Sequence, residues 1–278
     1  MNISASAPDP ALLFSDSSLA RRLERTEAHG NMAFVESRAR LEPAVGAGWE
    51  DHGGTWAMYD GPESPLTQTF GLGLFSVPTG EQVEALEQFF STRGAATQHE
   101  VCTMADAAVL PLLGARGYAP VEWSTVLVQR LGAAGTPAFP GLHVREIHSD
   151  DADQWADVAA AGWSEEPALR DFIRALGRVS VHAADTLCYL ALIDDTPVAS
   201  ASLHLHEGVA LLAGASTIPR FRQRGAQQAL LSHRLVAAAG RGCDLAMMVT
   251  TPGSASQRNA QRAGFSVAYS RVKWARKA

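Results

Sequence analysis

Three arginines and a glycine open the stretch of this 278-residue chain richest in chemical possibility, Ile218-Pro219-Arg220-Phe221-Arg222-Gln223-Arg224-Gly225-Ala226-Gln227-Gln228. After Gly225, Leu230, Leu231, Leu235 and Ala238 recur at helical spacing, so a helix starts at the glycine. The first turn of a helix leaves backbone N–H groups unpaired and carries the positive end of the dipole. No Asp or Glu occupies that turn here, so the positive end is free for an external anion. Gly225 permits a tight turn and close approach of a ligand, and Arg222 and Arg224 add charge-assisted donors. A phosphate-bearing ligand satisfies these features together; a solvated basic turn is the alternative. The stretch is not a P-loop, because no Gly-Lys-Ser/Thr follows, and not a dinucleotide fingerprint, because one glycine stands where three are needed.

A second group of candidates lies on Val198-Ala199-Ser200-Ala201-Ser202-Leu203-His204-Leu205-His206, which alternates strictly and reads as a strand. Ser200, Ser202, His204 and His206 share one face. His204, His206 or the following Glu207 could take a proton from an ammonium substrate, directly or through water. A solvent-facing strand side explains the same residues. His233, inside the helix after Gly225, reads as packing, and Trp163 as core or pocket lining.

The elements that must position these groups are clearest in the second half. Residues 142–147 read as a strand, and 149–163 and 166–178 as helices, the first with Ser149 as a possible cap. Runs 187–193, 198–206 and 209–217 form a meander of three antiparallel strands. After the arginine-rich turn come a helix to Gly240, a buried strand over 244–250, a helix over 254–264 and a final strand over 265–277. A Gly-, Ala- and Pro-rich segment, 131–141, separates two similar halves. The expected division is therefore residues 1–132, a linker at 133–140, and residues 141–278. Both halves close alike: Gly117-Tyr118 and Gly264-Phe265 each follow a helix and precede a strand ending in Val-x-x-x-Arg. This is the mark of a diverged internal duplication.

In the first half, 67–75 reads as a strand and 79–94 as a helix, followed by a strand in 96–103 and a helix in 105–117. Residues 16–42 read as helical, with Gly30 as a break. Glu81 and Glu84 occupy the helix turn that corresponds to the arginine-rich one, and acids there repel a pyrophosphate.

Bulk composition narrows the partners. A hydrophobic content of 46% and charged content of 19% suit a globular protein with a sizeable core. A net charge of −6 argues against nucleic acid or an anionic membrane as main partner. No run of about 18 apolar residues and no leader-like N-terminus is present. Cys102, Cys188 and Cys243 are far apart and form no CxxC, which fits neither a disulfide framework nor a thiolate zinc site, so a reducing cytoplasm is expected.

With these elements in order, the second half resembles the GNAT superfamily of acyl-CoA-dependent N-acetyltransferases, whose loop Q/R-x-x-G-x-G/A follows a strand ending Val-x-Pro. The matching residues are Thr217-Ile218-Pro219, then Arg222-Gln223-Arg224-Gly225-Ala226-Gln227, then Gly264-Phe265; Gln227 departs from the pattern. The resemblance covers 141–278 and, in the first half, only the tail and the coarse strand order. It implies an α/β fold of two GNAT-like lobes, each a mixed, mostly antiparallel sheet flanked by helices, the first lobe degenerate and without CoA. It further implies that the fourth and fifth strands of the second lobe splay to admit pantetheine. Arg222, Gln223, Arg224, Gly225, Ala226, Gln227 and Gln228 would then cradle the pyrophosphate. Ser216, Thr217 and Ile218 would offer backbone groups to the pantetheine, and a backbone N–H on that strand would polarise the thioester carbonyl. The family's tyrosine acid falls at Ala260, so Ser256 and Asn259 on the same helix are the polar candidates there, with Asn259 also a candidate contact to the cofactor. Glu165 and Glu166 fall between the helices that wall the acceptor pocket in the family.

The expected activity is transfer of an acetyl group from acetyl-CoA to a primary amine of a small molecule or peptide, by direct attack in a ternary complex without a metal. A silent acyl-CoA-binding protein, another acyl group and a hydroxyl acceptor are the alternatives. Only thirteen residues follow Phe265, where the family has two strands after its Gly-Phe; either one strand is missing or an element from the other lobe completes the sheet. Oligomeric state is open.

Overall fold

The computed structural model describes residues 13–132 and 139–276. The leader reading at the N-terminus and the linker at 133–140 fall mostly outside these. Eleven strands form one sheet: β1 (Gly48–Asp51), β2 (Trp56–Tyr59), β3 (Gln68–Phe70), β4 (Gln98–Cys102), β5 (Tyr118–Arg130), β6 (His143–Ile147), β7 (Thr186–Ile193), β8 (Thr196–His206), β9 (Val209–Thr217), β10 (Leu245–Thr250) and β11 (Ser266–Arg276). The helices are α1 (Ser17–Leu41), α2 (Gly80–Ser91), α3 (Val109–Ala115), α4 (Ala152–Ala161), α5 (Pro167–Val181), α6 (Ala226–Gly240) and α7 (Ala255–Arg262). Every element expected between 142 and 277 is present within a few residues of its expected bounds. Among the described residues no helix is long and apolar enough to cross a membrane.

The strand order is β1-β2-β3-β4-β11-β5-β10-β9-β8-β7-β6. All neighbours are antiparallel except β3 with β4 and β9 with β10. The order answers where the missing strand is. β5, from the first half, lies between β10 and β11, and β11, from the second, lies between β4 and β5. Each half hands its last strand to the other. The two repeat segments noted in the sequence are thus the two central strands, paired antiparallel from Tyr118 opposite Arg276 to Val128 opposite Ser266.

Helix α1 covers one face of this junction. Asp16 caps it by accepting the Leu19 N–H at 2.8 Å. Ala20 and Leu23 pack in one cluster with Leu74, Cys102 and Val126 of the first half and with Val209, Leu245 and Met247 of the second. Below them the buried Arg271 of β11 is 2.5 Å from Glu24 and 2.6 Å from Glu27, and Tyr269 donates to Glu24 at 2.8 Å.

Two expectations change. Gly30 does not break the helix: α1 runs through it, and a Cβ there would stand 3.2 Å from the His204 ring, so the glycine serves a close approach of helix to sheet. The strand expected over 67–75 is only Gln68–Phe70. Beyond it Gly71 (φ 85°) and Gly73 (φ 74°) turn the chain back and bury Leu72 and Leu74. Alternating glycine and apolar residues imitate a strand there, but positive φ at both glycines gives a compact turn.

Candidate functional site

β9 and β10 begin as neighbours and then part. They pair only from Val209–Leu211 to Leu245–Met247. β9 continues along β8 to Thr217, and β10 continues along β5 to Thr250. The cause is local. Ser200 faces Ser216 but Ser202 faces Ala213, so β9 carries one extra residue against β8. Such a bulge bends its strand. Gly214 takes φ 58°, and a Cβ there would lie 2.9 Å from Ser202 Oγ and 3.4 Å from Trp155 of α4. Ala213, Gly214 and Ala215 stay exposed along the opened edge.

The cleft leads to the arginine-rich turn. Ile218 N–H donates to the Val198 carbonyl at 3.0 Å, and a short 3-10 turn follows at Pro219–Phe221. Gln223 (φ 62°) and Gly225 (φ 83°) are both left-handed, and Gly225 is the N-cap of α6. No side chain caps this helix and no acid lies in its first turn. The first backbone bond into it runs from Ala229 N–H to Gly225 C=O, 3.0 Å, which leaves the amides of Ala226, Gln227 and Gln228 without intrahelical acceptors. Side chains hold the walls. Gln227 Nε2 donates to Thr217 Oγ1 at 2.8 Å, and Ser216 Oγ donates to the Ala159 carbonyl of α4 at 3.0 Å.

The three arginines differ. Arg220 and Arg224 lie over the Phe221 ring at 4.9 and 5.7 Å. Arg222 turns toward the α4–α5 loop, 2.5 Å from Glu165 and 3.0 Å from the Gly162 carbonyl. Glu165, expected between the helices that wall the acceptor pocket, is joined there to the arginine-rich turn. Glu166 stays exposed at the start of α5, and Trp163 is 39% exposed, outside the core.

On α7, Ser256 and Asn259 are exposed, and Ala260 is buried in the core with Phe265. His204 is placed elsewhere. It sits on β8 opposite Leu211, where β9 and β10 are still closed. Its ring nitrogens lie 3.0 Å from His29 Nδ1 and 3.0 Å from Thr186 Oγ1. Burial, reinforced by His29, pushes its pKa down to about 4. His206 stacks on His29 at 3.9 Å, and its pKa is lowered mainly by burial. Glu207 forms the hairpin turn at φ 42° and lies 3.7 Å from Arg25. Both His204 and Glu207 thus face α1, beyond the closed end of the cleft. The solvent-facing reading of this strand side is corrected: α1 covers its histidines, and Ser200 and Ser202 are buried toward the α4 side, beside Ser216 and Gly214. His233 packs edge-on against Tyr189 at 5.1 Å, as expected.

Sequence reasoning missed three residues of the site: Gly214, Gly162 and Arg234, whose guanidinium donates to the Ser202 and Ala213 carbonyls at 2.8 and 3.3 Å. The lone glycine inside Val209–Thr217 is a recognisable bulge signal. The corresponding place in the first half is built differently. Thr79 caps α2 by accepting the Gln82 N–H at 3.1 Å, and Glu81 lies in the first turn.

Residues 128–252, a little under half the chain, match the family model described as acetyltransferase (GNAT) domain. No curated protein matches the sequence. Among solved structures, a GCN5-related N-acetyltransferase from Kribbella flavida superposes with TM-score 0.64 at 20% identity, over 89% of this chain and 96% of that one. A tandem GNAT protein from the clavulanic acid biosynthesis pathway superposes with TM-score 0.59 at 12% identity, over 94% and 96%. A GCN5-related N-acetyltransferase from Sphaerobacter thermophilus gives 0.52 at 18% identity, over 74% and 70%. At these identities the superpositions speak for the fold, a mixed, mostly antiparallel sheet flanked by helices, and the domain match speaks for the chemistry. The splayed strands and the uncapped helix behind them lie inside the residues that match the acetyltransferase (GNAT) domain, which marks this part of the chain as an acyltransferase domain.

Proposed function

We propose that the chain transfers an acetyl group from acetyl-CoA to a primary amine of a small molecule or peptide, by direct attack in a ternary complex. The observation that carries this is the continuity of the opened β9 edge with an uncapped, acid-free helix start. A pantetheine arm needs strand-like backbone groups, and a pyrophosphate needs free N–H groups at the positive end of a helix. Ser216, Thr217 and Ile218 line the first; Gln223, Arg224, Gly225, Ala226, Gln227 and Gln228 form the second. Arg222 joins this cradle to the acceptor-side loop through Glu165. Ser256 and Asn259, exposed on α7, are the polar groups we assign to the thiol end. The first half acts as a degenerate lobe of a tandem pair, because Thr79 and Glu81 take up the helix start that a phosphate would need. A reducing cytoplasm fits the three buried free cysteines.

Ala260 favours one second reading, a silent acyl-CoA-binding protein, since no hydroxyl stands where the family's acid would be. Calorimetry with acetyl-CoA on the wild type and Gln228→Glu tests the first claim. Gln228 is exposed in the first turn, so a carboxylate there supports the isolated helix yet repels a pyrophosphate. The variant should bind about tenfold more weakly, a loss of about 1.4 kcal/mol, with no loss of thermal stability. Equal binding by both proteins would overturn the cradle. Thiol release with a panel of amines separates an enzyme from a silent binder.

A further inference from the structure

The charged side chains deepest in this protein come as opposite pairs, Glu24 with Arg271 and Arg38 with Asp60. Arg234 of α6 breaks that pattern. It is 3% exposed, and among the described residues no carboxylate pairs with it. A lone buried cation is costly to desolvate, so its surroundings must repay it in another way. The guanidinium is ringed by carbonyls instead: Ser202 at 2.8 Å, Ala213 at 3.3 Å and, from its own helix, Leu230 at 3.3 Å. Burial lowers its pKa only to about 10, so it stays charged at neutral pH.

Two of those carbonyls flank the bulge that opens the cleft. The Ala213–Gly214 peptide is trans and planar, so its N–H points opposite to its C=O. Drawing the Ala213 carbonyl toward α6 therefore directs the Gly214 N–H away from α6, along the exposed stretch Ala213–Ala215. Gly214 can hold this pose because φ 58° and the nearby Ser202 Oγ leave no place for a Cβ.

We propose that Arg234 is a positioning residue for acyl transfer: acting through the Ala213–Gly214 peptide, it fixes the amide that polarises the thioester carbonyl, and its unneutralised charge favours electron density on that oxygen. The inference rests on the acyltransferase reading above. When an amine nitrogen adds to the thioester carbon, the C=O π pair moves onto oxygen. The pair returns as the C–S bond breaks, and the thiolate leaves with the proton that the amine gives up, as free thiol. A fixed N–H and a nearby positive charge act on the oxygen while it carries that density.

The test uses [1-13C]acetyl-CoA, followed by carbon NMR, with wild type, Arg234→Met and Arg234→Lys. Binding to the wild type should move the thioester carbonyl resonance downfield. Arg234→Met removes the desolvation cost of a lone buried ion but takes a donor from the Ser202 and Ala213 carbonyls, so its folding is checked first by thermal melting. It should bind within about twofold of wild type but lose the shift, and its thiol release to hydroxylamine should fall about 100-fold. Arg234→Lys keeps the charge without the fork and should give an intermediate shift. An unmoved resonance in the bound wild type, or a full shift in Arg234→Met, overturns the role of Arg234 and leaves the acyltransferase reading standing. Should Arg234→Met not fold, a full wild-type shift in Arg234→Lys overturns it equally. Failure of the wild type to bind acetyl-CoA overturns both.

Discussion

Gly162 and Glu165 fix how the proposed cradle meets the α4–α5 loop. A Cβ on Gly162 would come to 2.7 Å from Ser216 Cβ, too close for two backbone-anchored atoms. Gly162→Ala must therefore push α4 from β9, strain the Ser216 bond to Ala159 and displace the carbonyl that Arg222 uses. Overpacking of this kind costs about 1–3 kcal/mol, to be read as a lower urea midpoint with unchanged slope, and acetyl-CoA affinity should fall with it. Glu165→Gln probes the opposite direction. The Arg222–Glu165 pair is exposed, and such pairs contribute about 0–1 kcal/mol. Its loss should leave the urea midpoint nearly unchanged. Because Arg222 is then released toward the cradle, acetyl-CoA should bind roughly two- to fivefold more tightly at low salt, a gain of the size expected for one exposed charge pair. Tighter binding that persists unaltered in high salt would not be electrostatic and would contradict this account.

The elements show what single-chain patterning reveals. The second half was legible because its strands alternate or are short apolar runs and its helices carry stripes and caps; Val198–His206 and Ser254 are examples. Two strands of the first half carried no such signal. β1 is four residues, mostly exposed, and β2 is buried at every position, so neither alternates. The uncapped helix start was legible from Gly225 and the missing acids, whereas the histidine surroundings were not, because α1 covers the histidines of β8 from 175 residues away in sequence, as His29 to His204. The strand exchange was half hidden: the short tail after Phe265 left open that the other lobe supplies a strand, but the repeat does not show that each like strand pairs with the other half's sheet. It has a mechanical consequence. Without residues 1–132, β11 loses β4 and β5 together, and β10 keeps only its three-residue pairing with β9. Residues 139–278 alone should stay insoluble or pair with a second copy through the vacated edges. Co-expression with residues 1–132 should restore a one-to-one complex that coelutes on gel filtration and melts cooperatively. A stable, monomeric C-terminal fragment would contradict this dependence.

At the scale of the whole molecule, α1 packs on strands of both halves around the exchange, and it does so over ionisable groups of opposite habit. Facing His204 are His29 from α1, His206 from its own strand, Thr186 of β7 and Asp185 before it, while Arg25 and Glu207 act on the neighbouring His206. Burial first, then His29, holds the folded pKa of His204 at about 4 against 6.5 for a free imidazole. The unfolded chain therefore binds the extra proton first as pH falls, so this site removes stability between about pH 6.5 and 4, by up to about 1.4 kcal/mol per pH unit. His99, buried beside Thr69 and pushed to about 3, acts in the same sense. Glu24 and Glu100 act in the opposite sense: burial raises both, the folded state holds their protons longer, and acidification through their range adds stability. The net slope mixes these, so the difference between proteins isolates the histidine. His204→Gln keeps a hydrogen-bonding side chain for Thr186 and cannot take a proton. Its urea stability should trail the wild type at pH 7.5, where the stacked cluster is intact, and close that gap as pH drops toward 5. A gap that stays constant from pH 7.5 to 5 would mean that the histidine does not couple protons to the seating of α1.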